Sequence, residues 1–223
     1  MKENKLVYEN YLDTSKTIAK ELFEKFFYPW EVLPLIKDFI YKLGENLPSN
    51  KFEKINENVW AAKNATISKS AYICGPAIID ENAEIRHCSF IRGNVIVGKN
   101  SVVGNSSELK NCILFDNVQV PHFNYVGDSI LGYKSHMGAG AIISNVKSDK
   151  SNVAVKYQNQ KIETGFRKFG AVLGDNAEIG CNAVLNPGTI LGRNTSVYPT
   201  SMVRGVIEEN SIFKNSGEII KKI

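Results

Sequence analysis

Apolar residues recur along this chain at every sixth position. From Ile55 the column reads Ile55, Ala61, Ile67, Ile73, Ile79, Ile85, Ile91, Val97, Val103, Leu109 and Phe115, with no polar interruption. In a sequence that is 43% apolar, such a run arises by chance roughly once in ten thousand for a fixed register. A companion column four residues further on is mostly small: Val59, Ala65, Ala71, Ala77, Ala83, Ser89, Val95, Ser101, Ser107 and Ile113. The register slips by four between Phe115 and Tyr125. It resumes as Tyr125, Leu131, Met137 and Ile143, and after a gap as Leu173, Ile179, Leu185, Leu191, Val197 and Val203.

A helix repeats every 3.6 residues and a strand every two, so neither explains a period of six. A large side chain that fills an interior, alternating with a small one that fits a corner, describes a triangular solenoid. About twenty-one hexads supply about seven three-sided coils. The pattern predicts an all-β parallel β-helix over residues 51–223, a prism roughly 30 Å long at ~4.8 Å per coil. Spacing alone leaves its handedness open.

Two segments break the repeat. Residues 1–50 carry helical periodicity and predict a helical cap. Asp13, Thr14 or Ser15 caps a first helix with Ile18, Leu22, Phe23 and Phe26 on its apolar face. Pro29 opens a second helix bearing Leu33, Ile36, Ile40 and Leu43, limited by Pro34 in its first turn and stopped by Gly44. The cluster Phe26, Phe27, Tyr28 and Trp30 is expected to pack on the end or side of the solenoid, covering an open sheet edge. The second break, about 146–170, is polar and basic and is expected to project as a loop.

Composition narrows the function classes. Lys and Arg number 27 against 23 Asp and Glu, a net charge of +4. That balance argues against nucleic acid or an anionic membrane as partner. No apolar run approaches the ~20 residues of a membrane span. The polar start MKENKLVYENYLDTSK offers no leader, which predicts a cytoplasmic chain. Cys74, Cys88, Cys112 and Cys181 form no C-x-x-C pair, so neither a disulfide framework nor a zinc ribbon is expected.

Candidate chemistry begins with Arg92 and Lys110, eighteen residues apart and each directly after an interior position. One coil is three hexads, so the two cations should stack on one outer face. They ask for an anion such as phosphate, or they are solvated surface charges. His122 lies where the register slips. It is either a general base with a near-neutral pKa or a surface histidine. Gly138-Ala139-Gly140-Ala141 is a nearly bare stretch of wall. It either lets a ligand reach backbone N–H groups or packs tightly at corners. Nucleotide-binding glycine motifs are absent.

Four runs carry a resemblance: VGNSSELKN (103–111), PHFNYVGDSILG (121–132), MGAGAIISN (137–145) and RKFGAVLGDNAEIG (167–180). Over roughly residues 29–210 the chain resembles the hexapeptide-repeat acyltransferases. It looks most like the acetyltransferase half of the bifunctional N-acetylglucosamine-1-phosphate uridyltransferase/glucosamine-1-phosphate acetyltransferases and the archaeal-type sugar-1-phosphate nucleotidyltransferases. The resemblance implies a left-handed β-helix, a homotrimer with sites between neighbouring prisms, and acetyl-CoA as co-substrate. It implies an N-acetyltransferase for an amino-sugar 1-phosphate, glucosamine 1-phosphate foremost, in UDP-N-acetylglucosamine biosynthesis. The uridyltransferase domain has no counterpart here, so a free-standing module is expected.

By the same resemblance His122 is the general base that deprotonates the sugar amine. Arg92, Lys110 and Lys168 hold the 1-phosphate, and Tyr125 and His136 line the sugar site. Asn145, Cys181, Gly138 and Ala139 lie along the acetyl-CoA. Backbone N–H groups of the Gly138–Gly140 stretch meet the oxyanion. Three positions depart from the pattern: His136 stands for an asparagine, Val146 for a tyrosine and Cys181 for a serine. His136 bears on which amino sugar binds. Three histidines (His87, His122, His136) spaced by 35 and 14 residues do not match the trimeric zinc site of a related branch, so no metal is expected. Galactosamine 1-phosphate or a nucleotide-linked amino sugar are alternative acceptors. A trimeric scaffold for a separate nucleotidyltransferase is the non-catalytic alternative.

Overall fold

The computed structural model describes residues 5–222; the first four residues of the expected cap and the last of the expected β-helix, 223, lie outside the described residues. The chain folds as a left-handed parallel β-helix. Short strands stack in parallel register into three faces, the first containing Ala77–Ile79, the second Glu84–Ile85 and the third Phe90–Ile91. The large column points inward: Ile79, Ile85, Ile91, Val97, Val103 and Leu109 are fully buried. The small column fills corners, where the Ser89, Ser101 and Ser107 hydroxyls donate to carbonyls of the next coil. Asparagine tolerates left-handed backbone better than most residues, and Asn82, Asn100, Asn176, Asn194 and Asn210 all take positive φ at turns. Their amides link coil to coil, Asn64 to Asn82 to Asn100 and Asn176 to Asn194 to Asn210.

The predicted columns need three corrections. Ile55 is exposed, because Phe52–Asn56 runs antiparallel to Val59–Ala62 and closes the first edge. Phe115 and Tyr125 are not interior positions; Leu114 and Val126 are, paired with Val97 and Leu109. The chain drops one residue between Leu109 and Leu114, and another between Val126 and Leu131. At both places the third face runs straight into the first as one seven-residue strand, Glu108–Leu114 and Tyr125–Leu131. Asn111 and Asp128 absorb the tightened corner in left-handed backbone. His122 therefore sits at a regular corner and not at a break.

Nor do the helices cover an edge. They lie along the first face, whose outward side chains Ile78, Ile96, Ile113, Ile130, Val172 and Ile190 are all fully buried. The helix Ile36–Gly44 packs on strands Ala77–Ile79, Val95–Val97 and Glu108–Leu114, and the 3-10 turn Pro29–Leu35 on Tyr125–Leu131. Each such isoleucine or valine contributes about 1.5–3 kcal/mol relative to exposure. Trp30 stacks on Tyr28 and meets Phe169, while Phe23 packs edge-on against Phe115. Gly44 permits the approach, since a Cβ there would lie 2.5 Å from the Trp60 ring. The first predicted helix shrinks to one turn, Lys20–Phe23. Thr17 is extended, with its hydroxyl accepting from the Ala19 N–H, and Asp13 caps the separate turn Thr14–Lys16. Pro34 holds the start of the second helix in 3-10 form, so its α portion begins at Ile36.

The basic excursion is pinched at its neck by a Val146–Lys168 bridge. It does not project. Its hairpin, Ala154–Tyr157 with Gln160–Glu163, turns back onto the first face and buries Val153 and Val155. Two glycines in left-handed backbone, Gly188 and Gly205, let it lie flush: a Cβ would come within 2.9 Å of the Ala154 carbonyl and 3.1 Å of the Lys156 carbonyl. The far edge is closed by Ile219–Lys221, antiparallel to Ser211–Phe213. No helix among the described residues is long and apolar enough to cross a membrane.

Candidate active site

Two ridges flank the third face. Where the second face turns into the third, His122, Ala139 and Cys181 occupy equivalent positions on successive coils. Each carbonyl accepts from the coil above: His122 O from Gly140 N, Ala139 O from Asn182 N and Cys181 O from Thr200 N, at 2.9–3.0 Å. The His122 imidazole is exposed. Asn124, a residue the sequence reading passed over, fixes this corner. Its Oδ1 accepts from His122 N and its Nδ2 donates to the carbonyls of Gly138 and Ala141. Of the bare stretch, the N–H groups of Gly138 and Gly140 are already spent on Ile179 O and His122 O. The expectation that the whole stretch offers donors is thus narrowed to one, because the Ala139 N–H donates to no group among the described residues. Glycine at 138 is steric, since a Cβ would lie 2.7 Å from Cys181 N.

The opposite ridge, where the third face meets the first, is a closed network. Asp128 is almost fully buried. It accepts from Asn111 Nδ2 at 2.9 Å, from Asn145 Nδ2 at 2.5 Å and from Lys110 Nζ at 3.3 Å. Asn145 Nδ2 also donates to Tyr125 Oη at 3.3 Å. Burial, with the Asp128 carboxylate beside it, pushes the Tyr125 phenol above its ordinary pKa. Gly127 leaves room for this pair, since a Cβ there would stand 2.6 Å from both Asn145 Nδ2 and Tyr125 Oη and displace them. The structure thus joins three predicted residues, Lys110, Tyr125 and Asn145, through two that were missed. The missed signal was the lost residue in each hexad, which sets Asn111 and Asp128 at the tightened corner.

Arg92 and Lys110 do stack one coil apart, through the Arg92 N to Leu109 O hydrogen bond. Their charges are not left bare, however: Arg92 pairs with Glu108 at 2.7 Å and Lys110 with Asp128. Lys168 shares a shallow cleft with Asn111, at the border of the network. His136 stands on the second face with Nδ1 2.9 Å from Glu178 Oε2. No hydrogen bond or ion pair among the described residues connects the His122 ridge with the Lys110 network. Among these residues no group of three or more His, Cys, Asp or Glu side chains is placed to hold a metal ion.

A family model described as the GMPPB C-terminal domain matches residues 73–215. The bifunctional protein GlmU of Methanococcus vannielii is 35% identical over 199 residues, which cover 87% of this chain and 47% of that protein. A bifunctional sugar-1-phosphate nucleotidylyltransferase/acetyltransferase of Sulfurisphaera tokodaii is 31% identical, over 72% of this chain and 46% of its own. The chain spans about half the length of these curated relatives. Among solved structures, a mutant of AntD, an N-acyltransferase from Bacillus cereus, in complex with dTDP-4-amino-4,6-dideoxyglucose and coenzyme A, is 18% identical. The match covers 78% of this chain and 91% of that one, with a TM-score of 0.41.

Proposed function

The chain belongs to the GMPPB C-terminal domain family, and from that premise we propose that it is an acetyl-CoA-dependent N-acetyltransferase of amino-sugar 1-phosphates, with glucosamine 1-phosphate the first acceptor. The observation that carries this reading is the pair of ridges. One presents an exposed imidazole next to the Ala139 N–H, which donates to no group among the described residues; the other presents Lys110, Tyr125 and Asn145 in a preset arrangement. Arg92, Lys110 and Lys168 hold the phosphate, and Tyr125 and Asn145 border the sugar and the acetyl group. His136, steadied by Glu178, discriminates among amino sugars.

An amino-sugar nitrogen is mostly an ammonium near neutral pH, so it must lose a proton before it can attack. His122 takes that proton. The amine adds to the thioester carbonyl, and the oxyanion accepts from the Ala139 N–H. The C–N bond forms, the C–S bond breaks, and the departing CoA sulfur takes up a proton, so one proton is released overall. Cys181 lies one coil further along the same ridge, beside the path of the CoA chain.

The two ridges of one chain flank a whole face, so the site is completed between copies in a homotrimer. Tyr72, Phe90, Val184 and Met202, exposed in one column on that third face, supply an apolar surface for the neighbour. The test follows release of the CoA thiol from acetyl-CoA with glucosamine 1-phosphate or galactosamine 1-phosphate. Release with one sugar that drops at least 100-fold in His122→Ala supports the reading. Unchanged turnover in that variant overturns the base, and no release with either sugar overturns the acceptor.

A further inference from the structure

One residue on the His122 ridge does not suit its own corner. Cys88, Ser106, Phe123, Gly140, Asn182 and Thr200 hold the same turn position on successive coils, and all take left-handed backbone. That conformation favours glycine and asparagine. Of the eighteen non-glycine residues that adopt it among the described residues, ten are asparagines and Phe123 is the one aromatic. A bulky side chain there is an outlier.

The fold offers the ring no compensation. Phe123 is 59% exposed. It joins no aromatic pair or cation contact among the described residues. It also lies outside the apolar column of Tyr72, Phe90, Val184 and Met202 on the third face. The corner nevertheless fixes it on both sides. Phe123 N donates to Asn105 O at 2.9 Å, and His122 N donates to Asn124 Oδ1 at 3.0 Å. Asn124 is tied in turn to the Gly138 and Ala141 carbonyls. Strained backbone held in place by its surroundings is characteristic of ligand sites. On the next coil the equivalent residue is Gly140, so no side chain rises beside the ring there.

What the ring meets follows from its neighbour, a step that rests on His122 being the base. An amino-sugar nitrogen is bonded directly to the pyranose ring, and adjacent Cα atoms lie ~3.8 Å apart. An amine delivered to His122 therefore brings its ring to the residue beside it. A pyranose presents C–H groups on its faces, which the negative face of an aromatic ring attracts. The thioester end of acetyl-CoA is an open chain and offers no such face.

We propose that Phe123 is a stacking platform for the acceptor's pyranose ring, a specificity-determining residue that selects cyclic amino sugars at His122. It binds the ring and moves no proton.

Steady-state kinetics of thiol release, with the sugar 1-phosphate and acetyl-CoA varied in turn, test this. Phe123→Asn relieves the backbone and removes the ring. Its acceptor KM is expected to rise roughly fivefold or more, with kcat within about threefold and the acetyl-CoA KM unchanged. Phe123→Tyr is expected to keep the parental acceptor KM. The urea midpoint of Phe123→Asn is expected to equal or exceed that of the parent, and light scattering to give the same oligomer. Turnover in the parent with an unchanged acceptor KM in Phe123→Asn overturns the platform alone. So does an equal rise in Phe123→Tyr, a matching rise in the acetyl-CoA KM, or loss of the oligomer, which assigns Phe123 to an interface. No release in the parent with either sugar overturns the acceptor reading, and the platform with it. Should Phe123→Asn fold poorly, Phe123→Gly, unstrained in the same backbone, carries the test.

Discussion

Replacing Asp128 by asparagine removes one charge and one acceptor from the centre of the third-face network while keeping its shape. In the parent, the two carboxylate oxygens receive Asn111 Nδ2, Asn145 Nδ2 and Lys110 Nζ. An amide at 128 has a single oxygen, so one neighbouring asparagine meets an NH₂ group. Asn145 can answer only by flipping, which withdraws its Nδ2 from Tyr125 Oη. Bonds to a charged group contribute ~1.5–3 kcal/mol each and neutral ones ~0.5–1.5, so two amide bonds lose about 2 kcal/mol together. Lys110 is a quarter exposed, and water recovers part of its pairing, leaving about 1 kcal/mol more. The expected loss is about 3 kcal/mol out of a typical 5–15. Urea unfolding should show a lower midpoint at unchanged m-value. In the thiol-release assay the acceptor KM should rise more than kcat falls, because Asp128 positions groups and touches no reacting atom. A midpoint change worth less than 1 kcal/mol would refute Asp128 as the organising residue.

Two further perturbations read other parts of the fold. Burial pushes the Asp80 carboxyl up to about 6, with its Oδ2 accepting no hydrogen bond among the described residues. A raised carboxyl pKa costs stability once the group ionises, so this penalty is absent below its unfolded value near 4 and complete above 6, at about 3 kcal/mol. The melting temperature of Asp80→Asn relative to the parent should therefore rise between pH 5 and 7.5, and parallel pH curves would rule the account out. Trp30→Ala, which empties the stack between Tyr28 and Phe169, should cost about 3–5 kcal/mol by denaturant titration. A cost under 1 kcal/mol would mean that the helical cover is not integral to the prism.

Period six in the large and small columns was enough to determine a triangular solenoid, its strand order and most of its interior, because each coil contacts only its neighbours and local spacing becomes three-dimensional stacking. A once-per-coil signal was also present, at spacings of 17 or 18 residues with one longer gap across the excursion. Ile78, Ile96, Ile113, Ile130, Val172 and Ile190 make one face apolar outside as well as inside, which marks a covered side. The stacking of Arg92 on Lys110 could likewise be read from a spacing of eighteen. What covers the apolar face was decided only by tertiary packing, since the helical segment and the hairpin each present apolar side chains that fit a side as well as an edge. The same holds for the Asp128 network. Its members lie in three coils and meet because two corners lose a residue and Asn111 and Asp128 enter left-handed backbone. Hydrophobic periodicity records which side of a strand faces the core. Which polar groups then close on one another depends on corner geometry, a property of stacked coils and not of any one hexad.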